Sequence, residues 1–253
     1  MWRRQSPDVE RRRPGSAVMN GLLVRVAADQ SRGGGYWNGP VDSRTRDFVY
    51  VPIPERKAVR AGHARPYGGV VPSLTRLGVA LPAQFHDQRM HLDPDFEHLT
   101  YGDQGPKGKQ LVRALSAGDV LVFYSGLMDV VARHLVYAII GLLVVERVDR
   151  AVDWRESEWH RNAHTRRELG EGADDVIVVG RARGSGRLAR CIPIGEYREK
   201  AYRVRRELLV AWGDITSNNG YLQRSAVFPR LLDAGRFMGW LERQGVEWVR
   251  QNF

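Results

Sequence analysis

With 253 residues, 43% hydrophobic content and 39 Lys plus Arg against 29 Asp plus Glu, the chain is long enough to bury a core and carries a net charge of +10. The single cysteine, Cys191, excludes an intrachain disulfide, so no oxidising compartment is required and a cytoplasmic location is expected. The basic excess is carried by arginine, which suits a polyanionic partner such as nucleic acid or a nucleotide, although arginine-rich coding in a high-GC genome produces the same balance.

Residues 1–18 hold five arginines against one aspartate and one glutamate and lack the apolar stretch of an export signal. They read as a disordered basic lead ahead of one domain over residues 19–253, with no membrane anchor. Residues 22–27 form the first predicted strand. The next segment concentrates Asp29, Arg32, three consecutive glycines, Tyr36, Trp37 and Asn38. Consecutive glycines let backbone N–H groups converge on an anion, and the aromatics are able to stack on a base; a hairpin loop with core-capping aromatics explains the same residues.

Residues 47–53 alternate as an edge strand, and 56–84 read as an extended insertion around the core. Between 86 and 103 lie His86, Asp87, His91, Asp93, Asp95, Glu97, His98 and Asp103. These spacings match no recognised metal pattern, so no metal and no cofactor are assigned; Asp93 before proline suggests an Asx-type turn. A helix over 108–117 then delivers the chain to a strand from Gly118-Asp119, over 120–124, with no charge on either face. Its partner is a long β-branched run over 136–148, kinked at Gly141, and the loop 125–135 between them marks the expected site region.

Residues 154–169 suggest a solvated, charged helix with His160 and His164 on one face and Asn162 and His164 as polar ligand contacts. A strand over 176–179 leads into a loop, 181–187, that packs Arg181, Arg183 and Arg187 beside glycines and suits phosphate. Further strand (188–194), a basic aromatic stretch, a turn at 217–220 and apolar residues at helical spacing over 229–253 complete the chain. Strands outnumber helices, which predicts an α+β fold.

Taken in order, Pro-Ile-Pro-Glu (52–55), Leu-Asp-Pro-Asp-Phe (92–96), Thr-Tyr-Gly-Asp (100–103), Leu-Ser-Ala-Gly-Asp-Val-Leu-Val-Phe-Tyr-Ser-Gly-Leu (115–127), Asn-Ala-His (162–164) and Val-Val-Gly (178–180) resemble the third class of the nucleotide-modification-associated domain family. That resemblance implies a role beside systems that modify nucleic-acid bases. Residues 118–124 and 137–148 are also similar to the core of EVE, ASCH and other PUA-like domains, which implies a mixed, partly closed PUA-like β-barrel with peripheral helices and a base-receiving mouth.

Three functions follow. In a reader of a modified or flipped base, Tyr36, Trp37 and Tyr124 stack on it, Asp29 or Asn38 reads its edge, and Arg32, Arg183 and Arg187 hold phosphate. In an enzyme acting on a nucleotide or base, Asp29, Asp93, Asp95, His91 and His164 supply acid, base or metal-ligand groups. In a protein-interaction scaffold, the basic face alone matters.

Overall fold

A computed structural model describes residues 18–223 and 225–253; the expected basic lead, apart from Val18, lies outside the described residues. The strands are β1 (Gly21–Arg25), β2 (Pro40–Val41), β3 (Ile53–Pro54), β4 (Met90–His91), β5 (Thr100–Asp103), β6 (Val120–Asp129), β7 (Leu135–Arg150), β8 (Val176–Gly180), β9 (Gly186–Pro193), β10 (Gly195–Arg198), β11 (Ala201–Val204), β12 (Arg230–Leu231) and β13 (Trp248–Val249). The helices are α1 (Val71–Arg76), α2 (Gly105–Ala114), α3 (Ala163–Arg166), α4 (Arg206–Trp212) and α5 (Ala234–Arg243).

One nine-stranded sheet organises the chain, with the order β12-β1-β6-β7-β8-β5, β2 added on β6, and β9 with β13 added on β7. β1 pairs with β6 in parallel and β7 pairs with β6 antiparallel, so the fold is α+β on a large mixed sheet. The path runs open from β12 to β5, and no pairing among the described residues closes it into a barrel. The long β7 explains this openness: β8 and β9 follow one another along it, both antiparallel, and continue the sheet outward instead of returning to β1.

The uncharged runs of β6 and β7 arise because both faces of the sheet are covered. On β6, Leu121 and Phe123 enter one core while Val120, Val122 and Tyr124 enter the other. On β7, Ala138 and Ile140 share the first core, but beyond Gly141 it is Leu143 and Val145 that do so. The parity changes because the register slips at Gly141, where a bulge lets two residues oppose one. Glycine is needed there: a Cβ would lie 2.5 Å from the Phe96 ring.

The first core is covered by the irregular segment 41–101 and by α2, the second by α4 and α5. Asp233 starts α5 by accepting from the Arg236 N–H at 2.9 Å, and Trp212, Phe237 and Trp240 pack edge to face beneath it. Among the described residues, no helix is long and apolar enough to cross a membrane.

Several expected elements differ. Residues 56–84 contain 3-10 turns at Tyr67–Val70 and Ala83–Phe85 flanking α1, because Pro72 occupies the first turn of a short helix and needs no N–H there. The strand expected at 47–53 has ladder pairing only at Phe48 and Ile53, although residues 48–52 are buried. The loop expected at 125–135 shrinks to 130–134, since β6 continues to Asp129. The charged helix expected over 154–169 is two short pieces, a 3-10 turn at Glu156–Arg161 and α3, broken where extended Asn162 caps α3 with its side chain.

Candidate functional site

Two short strands and one helix cap build a buried polar cluster beside the sheet. β4 pairs with β3 through Ile53 and His91, which brings Glu55, just beyond β3, against the His91 ring. The turn after β4 carries Asp93, and β5 returns with Gly102. Asp93 accepts the Gly102 N–H on both carboxylate oxygens at 3.0 Å and the Asn162 amide at 2.9 Å. Asn162 also accepts the His164 N–H at 2.8 Å, so one side chain starts α3 and orients both Asp93 and His164. The chain bends at Pro94 as expected, but Asp93 closes no Asx turn, its carboxylate being held by Gly102 and Asn162; Asp95 accepts the His98 N–H at 3.2 Å while its second oxygen binds Arg166.

The two imidazoles meet at 5.0 Å between ring centroids. His91 Nδ1 lies 2.6 Å from Glu55 Oε2 and His164 Nδ1 lies 2.5 Å from Asp175 Oδ1. Arg167 N–H groups lie 3.3 Å from His164 Nδ1 and 3.1 Å from His91 Nδ1, but the shorter contacts to carboxylates, which only accept, assign the proton to each Nδ1 and leave a lone pair on each Nε2. Both Nε2 atoms face Asp93 Oδ2, at 3.9 Å for His91 and 3.7 Å for His164, beyond hydrogen-bond length. One ligating atom from each of these three buried residues lies within 4.8 Å of the others.

Arg167 stands behind the rings and bonds Glu55 at 3.1 Å and Asp175 at 3.5 Å. Burial opposes charge on Glu55, but His91 and Arg167 outweigh it and hold the carboxyl well below the usual range. Burial dominates at His164, pushing its imidazole down to about 3, and it lowers His91 as well. Burial also pushes Asp93 well above the usual range despite the Asn162 and Gly102 hydrogen bonds.

The cluster floors a cavity of about 390 Å³, which falls in the size range of small-molecule sites. Its walls come from β1, the 29–34 loop, β5, Tyr124 and the 225–229 segment. Lys107, in the first turn of α2, holds its ammonium 5.0 Å over the Phe228 ring at this cavity and forms no ion pair among the described residues. Arg25 completes the basic lining, paired at 3.1 Å with Asp29.

Of the residues singled out in the sequence, Asp29, Tyr124, His91, Asp93 and His164 line this cavity. Asn38 lines an adjoining hollow of about 350 Å³ that shares Arg25, Asp29 and Ser31 with it. The remaining candidates lie elsewhere. Tyr36 is exposed, and Trp37 packs on Phe85 at 5.8 Å between centroids. The 29–35 loop supplies its own anion, since Asp29 accepts the Ser31 N–H and Ser31 accepts the Gly34 N–H.

Arg32 is exposed, with its carbonyl accepting from Arg56, and Arg183 is exposed on the 181–185 loop. Arg187 is buried, donating to the Gln251 and Leu188 carbonyls. Asp95 is held by Arg166, and Asn162 supports the cluster from behind. Sequence reading did not single out Glu55, Arg167 or Asp175 as site residues. Glu55 ends Pro-Ile-Pro-Glu and Arg167 falls in the charged stretch 154–169, but neither carries a spacing signal, because only the fold brings them to the imidazoles.

A family model described as nucleotide modification associated domain 3 matches residues 20–225, a span that contains every residue of the cluster. No curated protein and no solved structure matches the chain at a significant level.

Proposed function

Because the chain belongs to the nucleotide modification associated domain 3 family, we propose that its cavity takes a nucleotide or nucleobase and that His91, Asp93 and His164 act on it there. The observation that carries this reading is the convergence of three buried polar side chains, from β4, its following turn and α3, on the floor of one cavity with basic groups in its wall. A pure binder has no need of two imidazoles whose Nδ1 protons are fixed by buried carboxylates. That arrangement keeps each Nε2 unprotonated and oriented, as hydrogen-bond accepting or ligating chemistry requires. Lys107 and Arg25 suit the phosphate, and Asp29 and Tyr124 suit the base, as in the barrel-mouth reading of PUA-like domains.

The test is calorimetric titration of the full chain with nucleosides, nucleotides and short oligonucleotides, with modified and unmodified bases, alongside mass spectrometry of the products. Lys107→Glu is expected to weaken a phosphate-bearing ligand by about 10- to 100-fold, the worth of one charge-assisted hydrogen bond. Val227→Trp, at an exposed position on the cavity wall, is expected to weaken ligands of every kind. Binding that neither change alters would place the ligand elsewhere. His164→Gln should retain ligand and lose turnover; turnover that survives it would leave a base reader as the better description.

A further inference from the structure

We propose that His91, Asp93 and His164 form a binding site for one divalent first-row transition-metal ion, open on one side to the cavity. This deepens the reading above, since the ion would stand where the nucleotide is acted on, but its test needs no nucleotide.

The geometry carries the assignment. Each Nδ1 donates a hydrogen bond to a carboxylate, so both Nε2 atoms turn lone pairs toward Asp93 Oδ2, beyond hydrogen-bond length from it. A cation placed among them would be contacted by all three groups at once. The separations of 3.7 and 3.9 Å are too long for hydrogen bonds and slightly wider than the roughly 3.3 Å between ligands of a tetrahedral ion with bonds of about 2.0–2.1 Å. On these two edges the difference is a few tenths of an ångström, and all three ligating atoms lie within 4.8 Å of one another.

Charge points the same way. Arg167 is bonded to Glu55 and Asp175, and among the described residues no lysine or arginine forms an ion pair with buried Asp93. The surroundings are those of a metal ligand set: each imidazole donates its far N–H to a carboxylate, and the ligating carboxylate is itself fixed by Gly102 and Asn162. Two nitrogens and one oxygen select a transition metal over magnesium or calcium, which prefer oxygen alone. Three protein ligands with the cavity on the remaining side describe a site that keeps positions for water or substrate.

The untagged full chain, stripped with chelator and dialysed, is titrated separately with Zn²⁺, Mn²⁺ and, without oxygen, Fe²⁺. At least one ion should bind at one equivalent, and X-ray absorption at that metal's edge should show imidazole nitrogen. Asp93→Asn keeps the side-chain shape and should weaken binding roughly 100-fold or more, and Glu55→Gln by about 10- to 100-fold. His98→Ala, in the separate group formed with Asp95 and Glu97, should change nothing. Failure of the wild type to take up one equivalent of any of the three ions, an oxygen-only absorption signature, or binding lost in His98→Ala and retained in Asp93→Asn would each overturn the assignment. Metal uptake without nucleotide binding supports this site and removes the nucleotide reading; nucleotide binding without metal uptake does the reverse.

Discussion

Gly102 has no room for a methyl group: a Cβ there would lie 2.5 Å from His164 Cδ2 and 2.8 Å from Asn162 Oδ1. Its N–H also holds both oxygens of Asp93. Gly102→Ala therefore strikes the cluster without touching a charged group, by pushing His164 and the α3 cap away from Asp93. Its overpacking cost is about 1–3 kcal/mol, measured by denaturant unfolding, and ligand affinity in the cavity should fall with it. Asn162→Ala acts from the opposite side, freeing Asp93, Thr100 and the His164 N–H together. Cys191 offers a control remote from this chemistry. Burial pushes its thiol up to about 12. In the native protein at pH 8 it should resist a disulfide reagent and react at full rate only in denaturant; rapid native labelling would show that β9 opens locally.

Among the elements, the β6–β7 hairpin shows most directly how local chemistry sets the frame. Its turn closes on Asp129, which accepts the N–H groups of Val131 at 2.8 Å, Ala132 at 2.6 Å and Ser43 at 3.1 Å, and also binds the Ser43 hydroxyl. Burial would raise this carboxyl, but those hydrogen bonds prevail and hold it down to about 2. A depressed acid stabilises the fold fully above its unfolded value near 4. That contribution is lost as pH falls from there through about 2. Asp129→Ala should cost about 2 kcal/mol at neutral pH and flatten the acid limb of the stability curve over that window.

The same hairpin was legible in advance, because its uncharged runs and the glycine at 141 are local signals of two-sided burial and a bulge. The 154–169 segment was not, because its charges describe an exposed helix while Asn162, Thr165, Arg166 and Arg167 are buried partners of distant groups. Asn162 competes for the backbone as a cap and ends the helical period. No pattern within that segment records that Asp93, Asp95 and Glu55 lie across from it.

At the scale of the whole molecule, the number of arginines overstates the guanidinium groups offered to a partner. Arg166, Arg167 and Arg187 are buried in ion pairs or on carbonyls, and Arg198 and Arg203 hold the carbonyls of the 218–219 turn. Composition reveals none of this, because an arginine that braces the fold counts the same as one that meets phosphate. The exposed arginines 181 and 183 are different: they stand on the loop between β8 and β9, and no residue of 181–187 lines the cavity. If that loop tracks a nucleic-acid backbone, replacing both with alanine should lower affinity for an oligonucleotide and reduce the slope of log affinity against log salt by about 2, while free nucleotide binds as before. An unchanged salt slope would remove this loop from any strand-binding surface, because phosphate contacts made by these two arginines have to appear as released counterions.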